Sequence, residues 1–183
     1  MPRRSERGFS LIEAVIAVSV LAVGVAALAQ VAVASGRASV SAQRSTIAQF
    51  AARERLEQLR ALAWTTDAGV VPVSDWSSDL TVTPRASDGG AGLGVSPGSA
   101  LRENTAGFCD FLDADGRWLA GGVQPPIGTA WIRRWSIATL DGFTDTLILQ
   151  VVVVPATAAG AALTPARTSN GAWLVSMKTR LSR

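Results

Sequence analysis

Residues 14–36, AVIAVSVLAVGVAALAQVAVASG, carry no charged side chain, and a helix drawn through them is apolar on every side. At the helical rise these 23 residues extend about 34 Å, enough to cross a bilayer core of about 30 Å. Beyond Arg37 the pattern becomes amphipathic: Val40, Ile47, Phe50, Leu56, Leu59 and Ala63 recur at helical spacings with Arg and Glu between them. One helix is therefore predicted over residues 9–62, transmembrane over about 14–36 and amphipathic over about 37–62. Its apolar stripe needs a sheet to cover. Glu54 with Gln58, and Glu57 with the neighbouring arginines, read as a solvated face.

Helical periodicity stops at residues 64–69, WTTDAG. Residues 70–73 and 80–83 are short β-prone runs, interrupted by Pro72 and closed by Pro84, which suits an edge strand or irregular backbone. The Gly-, Ser- and Pro-rich residues 85–100 read as a loop. Over residues 130–140, Trp131, Arg133, Trp135 and Ile137 alternate with Ile132, Arg134, Ser136 and Ala138. Residues 146–154 are apolar on both faces and are predicted to form the central strand. Residues 172–180 alternate as a half-buried outer strand, after a Gly- and Ala-rich link over 156–171. The short turn at 141–145 makes the first two of these strands an antiparallel hairpin. The expected class is α+β, a long N-terminal helix on a small antiparallel sheet, divided into a leader (1–8), the helix (9–62) and a β-rich head (63–183).

Composition narrows the chemistry. The formal charge is only +3 despite a pI near 10.4, and no basic run is interleaved with aromatics, so nucleic acid is not an expected partner. Cys109 stands alone and can form no internal disulfide. The chain has no His, which removes Ser-His-Asp and Cys-His catalysis and His-based zinc sites; no enzymatic activity and no cofactor are expected. The string GGAGLG lacks the preceding strand and following helix of a dinucleotide site. In DFLDADG, Asp110, Asp113 and Asp115 faintly suggest a calcium loop, but the spacing and the distal glutamate of an EF-hand are missing. Asp113 and Asp115 are thus weak metal candidates set against a plain solvated turn. No cleft-forming domain surrounds the carboxylates as glycosidase chemistry requires. Arg133 lies between Trp131 and Trp135 within cation-π reach, either as a stem covering the rings or as a ligand platform.

The N-terminus is the most informative segment. MPRRSERG is a short basic leader ahead of the apolar run. A secretory signal would allow cleavage after Ala29 or Ala34. A twin-arginine signal at Arg3-Arg4 lacks the hydrophobic positions that should follow. A plain anchor is also compatible, with arginines on both flanks leaving its direction open. None of these explains Glu13, a carboxylate set inside the apolar start Phe9-Ser10-Leu11-Ile12. A charge at the bilayer centre costs about 2.5–3.5 kcal/mol, less near the interface, so Glu13 calls for a cationic partner.

The string Arg7-Gly8-Phe9-Ser10-Leu11-Ile12-Glu13-Ala14 resembles the processing site of type IV prepilins and type II secretion pseudopilins. The resemblance implies cleavage after Gly8 by a prepilin peptidase, methylation of Phe9 and a cytoplasmic leader. It further implies that Glu13 pairs with the N-terminal amine of a neighbouring subunit, which supplies the missing cation. Residues 47–62 are similar to the helix end of minor pilins and of the I-type pseudopilin. Together these likenesses imply a pilin-like structural subunit held in the inner membrane by a single pass with a periplasmic head. It would then enter a type IV pilus or pseudopilus with other pilin subunits through an assembly platform. The apolar half departs from major pilins in having Gly24, and no proline, as its weak point. The rival reading is a secreted or membrane-anchored binding module with a conventional signal peptide.

Overall fold

The computed structural model describes residues 10–62, 64–66, 72–74, 93–158 and 170–180. These fall into two compact units, Met1–Ser41 and Ala42–Arg183. The leader with Gly8 and Phe9, the β-prone run 80–83 and much of the links 85–100 and 156–171 lie outside the described residues.

The first unit is helical from Leu11 onward and belongs to helix α1, Leu11–Ala61. Its side chains are exposed all round, including Leu21, Val23 and Leu28. A helix long and apolar enough to cross a membrane is thus present, with none of its apolar window buried within the chain. The hydroxyl of Ser19 donates to the carbonyl of Val15 at 2.7 Å. That bond satisfies a polar group where lipid offers no partner.

In the second unit the C-terminal part of α1 covers one face of an antiparallel sheet. Strands β1 (Trp64–Thr66) and β2 (Pro72–Ser74) form a separate two-stranded ribbon. Strands β3 (Cys109–Leu112), β4 (Trp118–Gly121), β5 (Trp131–Leu140), β6 (Phe143–Pro155) and β7 (Ala172–Thr179) form the main sheet in the order β4-β3-β5-β6-β7. This is the α+β, pilin-like arrangement. The middle strand is β5, with β6 beside it, whereas apolarity on both faces points to residues 146–154. Both strands are buried on both faces, because the sheet has a core on each side.

Toward the helix, Trp131, Trp135, Ile137, Leu147, Leu149, Val151 and Val153 pack with Ala48, Ala51, Ala52, Leu56 and Leu59. On the far side Cys109, Phe111, Ile132, Val152 and Val154 pack with Leu101 and Trp173. The helix face differs from the expected stripe. Phe50 is 70 % exposed and Val40 half exposed, and alanines occupy the contact instead. Position 50 lies about 200° around the helix from 48 and 52, on the opposite side. Small side chains at 48, 51 and 52 bring the helix backbone close to the sheet.

The β5–β6 turn is tighter than residues 141–145. Leu140 pairs with Phe143 after a bulge at Thr139/Leu140, and Gly142 takes φ +81°. At the end of α1, Lys178 of β7 donates to the carbonyls of Arg60 and Leu62, the latter at 2.6 Å. These are carbonyls that a helix C-terminus otherwise leaves without partners.

Candidate functional site

Among the described residues charge enters apolar surroundings at the start of α1, at the interface between α1 and the sheet, and at Arg134, which is buried on β5. The carbonyl of Ser10 accepts the backbone N–H groups of Glu13 and Ala14 at 3.0 and 3.1 Å, so Ser10 caps α1. Glu13 falls in the first turn, where the helix dipole favours an anion, and Ser10-x-x-Glu13 has the spacing of a capping box. Among the described residues the Glu13 carboxylate has no hydrogen bond or ion pair. It is exposed at the mouth of the apolar run.

The second place is the interface between α1 and the sheet. Asp110 on β3 is fully buried and stands opposite Arg133 on β5. Arg133 grips it with a two-pronged fork, Nε to Oδ1 at 2.9 Å and Nη2 to Oδ2 at 2.8 Å. Its remaining nitrogen, Nη1, donates to the Ala51 carbonyl at 2.9 Å and to Glu54 Oε2 at 3.0 Å. From the helix, Arg55 Nη2 also donates to Asp110 Oδ2, and its guanidinium lies over the Trp135 ring, 4.3 Å from the centroid.

Burial pushes the pKa of Arg55 down to about 10 against the pull of Asp110, so it stays charged at neutral pH. Burial also works against Arg133, but its hydrogen bonds and charge contacts with Asp110, followed by Glu54, outweigh this and raise its pKa. The network clamps helix to sheet. It offers no open position for a substrate.

The cation-π contact thus belongs to Arg55, while Arg133, the residue the tryptophan spacing pointed to, is engaged by Asp110 and Glu54. Glu54 lies on the solvated face as expected, yet one of its oxygens reaches back to a buried guanidinium. Nothing local in the sequence marks the buried role of Arg55, since RERLEQLR reads as a polar stretch. A signal existed in the strands: Asp110 within FCDFL, and Arg133 among inward-facing tryptophans, are charges that require partners.

Asp113 and Asp115 form a turn. Asp113 Oδ1 accepts the N–H groups of Asp115 at 2.9 Å and Arg117 at 2.8 Å. Gly116 takes φ +83°, and a Cβ there would come 3.1 Å from Ile47. Among the described residues no group of three or more His, Cys, Asp or Glu is placed to hold a metal. Burial pushes the Cys109 thiol up to about 12, which keeps it protonated and unreactive.

A long apolar helix ahead of a small antiparallel head defines the pilin-like class. The family model of the prokaryotic N-terminal methylation motif matches residues 3–29, so the chain carries the type IV prepilin-like signature over its leader and the start of α1. This motif is structural and of pilin type, and does not define an enzyme family. Such a motif fits a pilin or pseudopilin. It implies processing by a peptidase and assembly with other pilin subunits, and the apolar helix behind it marks a membrane anchor. No curated protein and no solved structure gives a significant match.

Proposed function

We propose that the chain is a minor pilin or pseudopilin, cut after Gly8, methylated on Phe9 and built into a type IV pilus or type II secretion pseudopilus through α1. Prepilin peptidase, the assembly platform and other pilin subunits are its partners. It waits in the inner membrane as a single pass, leader in the cytoplasm and head in the periplasm. The observation that carries this reading is Glu13. Within the motif-bearing segment it is a carboxylate at the start of a wholly apolar helix with no partner among the described residues, and the amine freed on Phe9 of another subunit satisfies it. The head supplies the surface, and its clamp fixes the amphipathic half of α1 to the sheet.

Mass spectrometry of the mature N-terminus tests the reading. Methylated Phe9 is expected, and Gln30 or Ser35 would establish a conventional signal peptide instead. Gly8→Val is expected to leave an unprocessed precursor in the membrane.

A further inference from the structure

On the outer side of α1 in the second unit Phe50 is a large aromatic 70 % exposed, opposite the buried face formed by Ala48, Ala51, Ala52, Arg55, Leu56 and Leu59. It forms a ridge between two grooves. One, of about 530 Å³, is lined by Thr46, Gln49, Phe50 and Arg53 with Trp173 and Leu174 of β7. The other, of about 300 Å³, is lined by Ile47, Phe50, Ala51 and Glu54 with Asp115 and Gly116. Among the described residues the first groove has Arg53 as its only charge, and the second carries Glu54 and Asp115. Arg53 makes no ion pair among the described residues. Glu54 gives only Oε2 to Arg133, and its side chain remains 59 % exposed.

We propose that two copies of this chain pair through the Phe50 ridge in the membrane before assembly. The inference rests on the reading of the chain as a membrane-anchored subunit, because a shared anchor makes the two copies parallel. Two parallel helices facing each other about an axis along their length bring the left flank of one against the right flank of the other. Such an isologous contact is self-complementary only if the two flanks differ. Here they differ in sign. Arg53 and Glu54 are neighbours in sequence, about 1.5 Å apart along the helix axis, so in this arrangement Arg53 of each copy stands opposite Glu54 of the other. Phe50 meets Phe50 between them. In an antiparallel pairing the charges would not share a height. About one turn further on, Glu57 is held by Arg60 at 3.3 Å, so its charge is compensated where it faces its own copy.

The test is disulfide trapping of the full chain in native membranes with Phe50→Cys. Cys109 is fully buried and does not compete. The expected product is a covalent homodimer. Adding Arg53→Glu, at an exposed position with no ion pair among the described residues, is expected to lower the dimer yield by about tenfold, since by symmetry two exposed pairs become two repulsions. Combining it with Glu54→Arg is expected to restore the dimer. Monomer alone, a mixed disulfide with a different protein, or a dimer indifferent to Arg53→Glu overturns the proposal. The mature N-terminus read in the same samples separates the two claims: a chain processed at Phe9 without a dimer sinks the pairing and leaves the pilin reading intact.

Discussion

Glu13 and Asp110 are both carboxylates in apolar surroundings, and the chain treats them in opposite ways. Asp110 has two arginines on it and no exposure to solvent, whereas Glu13 has no partner among the described residues and sits at the head of a helix apolar all round. A buried carboxylate costs several kcal/mol unless it is paired and hydrogen-bonded. The head meets that requirement within itself. Among the described residues the first unit does not meet it at Glu13, and its apolar side chains are exposed; in the proposed reading another subunit's amine and the surrounding lipid supply what is missing.

The sharpest way to break this contrast is to make the head as incomplete as the helix start. Asp110→Ala leaves the buried Arg55 without its hydrogen-bond partner and Arg133 with only Ala51 and Glu54, and the expected loss is about 3–5 kcal/mol of stability. A denaturant series on a fragment beginning near Arg37, itself expected to be soluble with a cooperative melt, measures it; a loss under about 1 kcal/mol would mean that solvent reaches the clamp. Replacing Arg55, Asp110 and Arg133 together by apolar residues of similar volume should lose far less.

Next in size is Glu13→Ala. It is expected to leave processing and the melt of the head unchanged while lowering the ratio of fibre-associated to membrane-associated protein, because an unpaired amine then enters the fibre core. An unaltered ratio removes Glu13 from assembly and makes the first unit a mere anchor.

The smallest effect belongs to Cys109. Its thiol is held protonated in the folded head up to about pH 12 but ionises near 9 when unfolded. Above pH 9 the unfolded chain therefore binds fewer protons and stability falls as pH rises, by at most about 1.4 kcal/mol per pH unit. Melts between pH 8.5 and 10 should show this slope in the native chain and lose it in Cys109→Ala.

What could be read from the sequence divides along the same line. The apolar helix, the alternating strands 130–140 and 172–180 and the β5–β6 hairpin are local patterns, and periodicity shows them directly. The clamp is not local: its ion pairs join residues 55 and 23 positions apart, and Arg55 looks like any arginine on a polar helix face. The contact stripe differs from the periodic expectation at Phe50 for a related reason. Hydrophobicity ranks Phe above Ala, but a close helix–sheet approach selects small side chains. Which strand sits in the middle depends on β3 pairing with β5, and apolarity alone does not disclose that partner.

Lys178 gives the helix–sheet junction a mechanical meaning. A pull transmitted along α1 enters the sheet at the last turn, where Lys178 of β7 holds two carbonyls, and about two to three turns earlier, where Arg133 of β5 holds Ala51 and Glu54 and Asp110 of β3 holds Arg55. Lys178 and Arg133 lie on strands separated by β6, which is hydrogen-bonded to both along most of its length, and β3 pairs with β5. Tension is thus shared among β3, β5, β6 and β7, and extraction of the helix must overcome these anchorages together.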